Sequence, residues 1–74
     1  MLKKMKLKKK IKSAKRNIET LEKKRTRSQA ALVEAILTQQ TPSDEDVEFF
    51  NRFTALIEAE RDKMHALMKE LEAM

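Results

Sequence analysis

The chain contains no cysteine and no glycine, and it has neither tryptophan nor tyrosine. The lack of cysteine excludes disulfide bonds and thiolate metal sites, and nothing indicates an oxidising compartment. The lack of glycine excludes a glycine-rich phosphate-binding loop. No run of about 18 apolar residues is present, so no membrane-spanning helix is expected. The basic N-terminus is not followed by the apolar segment of a signal peptide, and we expect a cytoplasmic protein.

The residues that are present are typical of long helices. Charged residues make up 39% of the 74 residues, and Pro42 is the only proline. Residues 1–28 carry thirteen Lys and Arg against two Glu, whereas residues 29–74 carry four Lys and Arg against ten Asp and Glu. The net charge of +5 therefore combines a basic first part with an acidic second part. The length allows one small domain.

Apolar residues recur at alternating steps of three and four on both sides of Pro42. This spacing indicates a heptad seam, the face that one helix packs against another in a coiled coil. The first seam consists of Leu7, Ile11, Ala14, Ile18, Leu21, Arg25, Ser28, Leu32 and Ala35. The second consists of Phe50, Phe53, Ile57, Glu60, Met64, Leu67, Leu71 and Met74. The pattern predicts an all-α fold, an antiparallel two-helix coiled-coil hairpin.

One antiparallel register aligns the two seams when the numbers of the paired residues sum to 85. In this register Ala35 faces Phe50, and Arg25 faces Glu60. Arg25 and Glu60 either neutralise each other within the seam or both extend into solvent. Residues 1–10 project past the partner helix in this register, and we expect a basic arm that frays because neighbouring lysines repel one another.

The predicted hairpin covers residues 11–74. Its expected parts are helix 1 at about 3–39, a turn at about 40–42 and helix 2 at about 43–74. The preferred N-cap of helix 2 is Thr41, with Pro42 at the first helical position. Ser43, followed three residues later by Asp46, is the alternative N-cap.

Further apolar residues gather near the turn, outside the seam. The predicted protein-binding surface consists of Val33, Ile36, Leu37, Phe49, Phe50, Phe53 and Leu56. Soluble monomers rarely expose an apolar patch this contiguous, and a single seam rarely stabilises so small a domain. Three arrangements remain open: two hairpins that dimerise into a four-helix bundle, a different protein as partner, or a monomer with a loose tip.

The N-terminal segment offers a second candidate surface. Its cations are Lys3, Lys4, Lys6, Lys8, Lys9, Lys10, Lys12, Lys15 and Arg16. These cations suit nucleic-acid phosphates, an acidic protein or an anionic membrane surface, and a solvated tail is the remaining alternative. Sequence-specific reading of bases is not expected, because the segment has one arginine and no aromatic residue.

No catalytic, cofactor-binding or metal site is predicted, and we expect that the protein is not an enzyme. His65 is the only histidine and follows Met64 of the seam, so it is expected at the surface. Asp62 lies three residues before it, but metal sites in helical bundles need several further inward-facing carboxylates. The acidic residues 44–46 lack the spacing of a calcium loop and suit a helix N-terminus instead.

The stretch Phe49–Ala59 carries a family resemblance. Its aromatics, an arginine, a small polar residue and a Leu-Ile-Glu sequence resemble the second helix of co-chaperones of type III secretion needle subunits. The resemblance covers about residues 25–72. It implies a cytoplasmic protein that joins a repeat-type chaperone and keeps an aggregation-prone needle protein soluble. In size and topology alone, the chain is also similar to the RNA-binding hairpin dimer that controls plasmid copy number.

The expected function is therefore that of a non-enzymatic interaction module, a chaperone, co-chaperone or adaptor that binds partner helices through the apolar end near the turn. The alternative is a helical hairpin that binds nucleic acid through its lysine-rich N-terminus.

Overall fold

The computed structural model describes residues 2–74, and over that range the chain forms two α-helices and no strand. Helix α1 spans Leu2–Leu37 and helix α2 spans Asp44–Glu72. The helices pack against each other as a hairpin 57 Å long, with a cross-section of 15 by 14 Å. The predicted all-α helical hairpin is confirmed. Met1, which the predicted arm includes, lies outside the described residues.

The heptad seam predicted from the sequence is the face that the two helices bury. Every seam position from Leu7 to Ala35 and from Phe50 to Leu71 is buried or half-buried. Ile57 has no exposed surface, and Ala14 is 1% exposed. Met74, the last predicted seam residue, is 55% exposed because it follows the end of α2. Packing along the seam therefore accounts for the hairpin.

Helix α1 ends two residues earlier than expected, in a Schellman motif. The N–H of Gln40 donates to the carbonyl of Ala35 at 2.8 Å, and the N–H of Gln39 donates to that of Ile36 at 3.0 Å. Gln39 adopts the left-handed conformation that the motif requires, with φ of 60°. Glycine usually fills this position because it has no Cβ. Since the chain contains no glycine, the sequence carried no clear signal for this end.

Helix α2 begins at the alternative cap, and the preference for Thr41 is wrong. The Ser43 hydroxyl accepts a hydrogen bond from the N–H of Asp46 at 3.1 Å, and Ser43 itself is extended. Pro42 therefore lies in the turn and not in the first helical turn. Three carboxylates, of residues 44–46, follow Ser43 in the first turn of α2, where the positive end of the helix dipole stabilises them.

The two helices pair in a different register from the expected one. Ser28 lines one cleft with Phe49 and Phe53, and Ala14 lines another with Lys63 and Leu67, so the numbers of neighbouring residues sum to 77–81 and not to 85. The same alignment explains why Leu7 is 5% exposed, since the end of α2 reaches it. The turn between Leu37 and Asp44 is centred between residues 40 and 41, which also corresponds to sums below 85. Leu7 is thus packed rather than projecting, whereas fraying of residues 2–10 in solution stays a prediction.

The shifted register separates Arg25 from Glu60, which were expected to face each other. No ion pair joins them among the described residues. Glu60 does not extend fully into solvent either, because its Oε2 is buried without a hydrogen-bond partner. One carboxylate oxygen in the seam is therefore left unsatisfied, which costs stability.

Candidate functional site

Two sides of the hairpin flank the seam, at heptad positions e and g. Glu22 and Arg61 mark the first side, because Arg61 Nη2 donates to Glu22 Oε1 at 3.0 Å across the two helices. Residues seven or fourteen positions away on the same helix lie on the same side. They are Lys8, Lys15, Gln29 and Ile36 on α1 and Val47, Thr54 and Met68 on α2. We call this side the ion-pair side.

The opposite side carries the aromatic residues and defines the phenylalanine side. Phe49 and Phe53 line a shallow cleft there together with Lys24, Arg27 and Ser28 of α1. The two rings are stacked, with centroids 6.4 Å apart and an interplanar angle of 18°. Leu56 lies seven residues after Phe49 on the same side and is 44% exposed.

The seven residues predicted to bind protein are divided between these sides. Phe50 and Phe53 are half-buried in the seam, and Phe49 and Leu56 lie on the phenylalanine side. Three are exposed elsewhere on α1: Val33 at 45%, Ile36 at 65% and Leu37 at 77%. Ile36 belongs to the ion-pair side, and Val33 and Leu37 line a cleft on the outer face of α1. The exposed apolar residues near the turn are therefore distributed over the phenylalanine side, the ion-pair side and the outer face of α1 and do not form one patch.

Val47 is an exposed apolar residue that the predicted surface left out. It is 39% exposed and lies on the ion-pair side near Ile36. The signal was available, since Val47 is fourteen residues before Arg61 and Ile36 is fourteen after Glu22. Assigning heptad positions to residues outside the seam identifies both.

Arg52 lies beside the aromatic residues of the phenylalanine side. Its guanidinium carbon lies 5.9 Å from the centroid of the Phe49 ring, within the range of a cation–π contact. Arg52 Nη2 also donates to Glu48 Oε1 at 3.1 Å. Both side chains of this ion pair are more than half exposed, so the pair contributes little stability. Its effect is to hold a cation beside the phenylalanine cleft.

The nine predicted anion-binding cations lie on the first four turns of α1. All of them, from Lys3 to Arg16, are exposed, and they are distributed around the whole helix. Among residues 2–74, the only salt bridges are Glu48–Arg52 and Glu22–Arg61. The basic end of the hairpin is therefore not neutralised by α2. Leu7 and Ile11 hold this segment against α2 through the seam.

No side-chain cluster in residues 2–74 has the composition of a metal site, since no three His, Asp or Glu residues come together. His65 and Asp62 are both exposed. Neither helix has an apolar stretch that could cross a bilayer, as judged over the same residues. The absence of catalysis stays a prediction.

Comparison of the chain with protein-family models, with curated proteins and with solved structures found no match.

Proposed function

We propose that this protein is a non-enzymatic interaction module, a chaperone, co-chaperone or adaptor of the type III secretion kind, acting in the cytoplasm. It binds a helix of a partner protein, or of a second copy, through the apolar end near the turn. Phe49, Phe53 and Leu56 are the contact residues on the phenylalanine side.

The observation that carries the proposal is the exposure of apolar side chains near the turn. Phe49 and Leu56 are 37% and 44% exposed, although neither is needed for the seam. Aromatic residues beside shallow clefts are frequent anchors of protein interfaces.

The test replaces Phe49 and Leu56 with lysine. Both positions are on the surface of α2, so the double variant should keep its helicity, as measured by circular dichroism. A photo-cross-linking residue at Lys24, which is exposed and borders the phenylalanine cleft, should capture the partner in native cells. The adduct should disappear in the double variant, and binding of the purified partner by calorimetry should weaken at least a hundredfold.

A matched control carries lysine at Asn51 and Ala55, which are exposed positions of α2 outside the phenylalanine side. This variant adds the same charge and should bind like the wild type. Equal binding by the Phe49 and Leu56 variant and by the control would rule out this contact surface. The mass of the captured complex shows whether the partner is a second copy.

Nucleic-acid binding is the second candidate, and the unpaired basic end favours it. Nine exposed cations on one continuous helix neutralise phosphates without further rearrangement. Replacing Lys3, Lys6 and Lys9 with glutamine should reduce the slope of log K against log salt by about two to three for duplex DNA. An unchanged slope, or no salt-sensitive retention of RNA or DNA by the wild type, would eliminate this candidate.

A further inference from the structure

The phenylalanine side has a one-sided charge pattern. Its members are the residues at heptad positions g and c on both helices. Along α1 and α2 these positions carry seven cations against three carboxylates, Glu34, Glu45 and Glu70, which lie toward the ends of the helices. The cations are Lys3, Lys6, Lys10, Lys24, Arg27, Arg52 and Lys63. The corresponding positions beside the ion-pair side, e and b, carry four cations against five carboxylates. The cations are Lys8, Lys12, Lys15 and Arg61, and the carboxylates are Glu19, Glu22, Asp44, Glu58 and Glu72. Only the phenylalanine side is cationic along most of its length.

Two clefts lie on this side, and cations border both. The first contains the Phe49 and Phe53 rings beside Lys24 and Arg27. The second is lined by Ala14 and Leu67 at its base, with Lys10, Ser13, Asn17 and Lys63 around them. Each cleft therefore offers an apolar floor and a cationic rim.

The spacing of the clefts matches the repeat of a helix. Ser28 of the first cleft and Ala14 of the second are fourteen residues apart on α1. Fourteen residues are two heptads, which span about 21 Å along a helix axis. A partner helix that lies along this side therefore presents apolar side chains fourteen residues apart to the two clefts.

We propose that the phenylalanine side binds an acidic amphipathic helix of another protein, with two apolar anchors about fourteen residues apart and Asp or Glu beside each anchor. The inference rests on the proposed function and specifies the partner. The anchors fill the clefts, and the flanking carboxylates pair with the rim cations. A protein partner fits better than a nucleic acid, because a phosphodiester backbone offers nothing apolar to the cleft floors.

The test uses a designed helical peptide of about 21 residues as the probe, with leucine anchors fourteen positions apart and glutamate beside them. One control peptide has lysine in place of every glutamate. Another has one anchor moved by two positions, so that the anchors face different directions. Fluorescence anisotropy should show binding of the first peptide that weakens with salt, and at least tenfold weaker binding of both controls.

Matched variants of the protein test whether the peptide binds to the phenylalanine side. Replacing Lys10, Lys24, Arg27 and Lys63 with glutamine should weaken binding of the acidic peptide at least tenfold. Replacing Lys8, Lys9, Lys12 and Lys15, which lie off this side, removes the same charge and should change binding less than threefold. Equal losses in both variants, or equal binding of the lysine peptide, would overturn the proposal.

Two further outcomes separate this inference from the proposed function. If the Phe49 and Leu56 variant loses its cellular partner while the four rim substitutions leave that binding unchanged, the proposed function stands and the acidic-helix inference fails. Single-stranded DNA that displaces the acidic peptide, with the same dependence on the rim cations, would assign the side to nucleic acid and also overturn the inference.

Discussion

Glu60 occupies a seam position at which an apolar side chain is expected. Its carboxylate oxygen Oε2 is buried and has no hydrogen-bond partner. A buried polar atom without a partner lowers the free energy of unfolding. Glu60 therefore destabilises the seam in which it lies.

Replacing Glu60 with methionine should raise the free energy of unfolding by about 1–2 kcal/mol, because an apolar side chain of similar length fills the same space. Urea denaturation followed by circular dichroism measures the change. Glu58→Met is the control at an exposed position and should stay within about 0.5 kcal/mol of the wild type. A destabilised Glu60→Met variant would mean that the carboxylate has a partner in solution.

Gln39 carries the conformational cost of the turn. Its φ of 60° is unfavourable for a residue with a Cβ, and glycine has no such penalty. Gln39→Gly should therefore raise the free energy of unfolding by about 0.5–1 kcal/mol. Gln40→Gly, one residue later, is the control and should not stabilise. Thermal unfolding measures both, and equal effects of the two substitutions would contradict the assignment of the left-handed position.

At the scale of the helices, the spacing of the apolar residues predicted which residues of each helix face the other helix. It did not predict which of these residues lie opposite each other. A shift of one heptad aligns the same two seams, so sums of 85 and 78 both satisfy the heptad pattern. The choice depends on where α1 ends, and Gln39 gave no clear sign of that end. The division of Phe49 and Ile36 between two sides, in contrast, was readable from their heptad positions. A binding partner leaves no comparable periodic pattern in the sequence, so the identity of the partner could not be predicted.

Leu7 distinguishes the two registers. In the structure it is 5% exposed, whereas in a register with sums of 85 it would lie beyond α2. Leu7→Ala should lower the free energy of unfolding by about 2–3 kcal/mol, as for other buried leucines. Leu2→Ala, at a position that is 76% exposed, should have almost no effect. Chemical denaturation of the two variants makes the comparison, and equal, small effects would favour the longer overhang.

The whole molecule is electrically polarised along its length. The end with residues 3–16 carries nine cations, whereas residues 29–58 near the turn carry six carboxylates and Arg52. Glu22–Arg61 is the only ion pair between the helices among the described residues, so little of this charge is neutralised internally. Repulsion among the lysines of the basic end opposes folding of the first turns of α1.

Salt should therefore stabilise the protein. Raising sodium chloride from about 10 to 300 mM shortens the Debye length from roughly 30 Å to below 10 Å and screens the repulsion among the lysines. The melting temperature should rise over this range, and it should rise less in a variant with Lys3, Lys6 and Lys9 replaced by glutamine. Differential scanning calorimetry measures both, and a melting temperature that falls with salt would show that attractive ion pairs dominate.

The charge separation along the 57 Å hairpin also determines how the molecule meets other molecules. A charged molecule that approaches from solution is oriented before it makes contact, because the electrostatic potential of the hairpin differs in sign at its two ends. An anionic partner therefore arrives at the lysine end first, and the turn points away from it. The first contacts of a productive encounter therefore form at the lysine end, and further contacts form along the hairpin from there. This order is set before any cleft is filled.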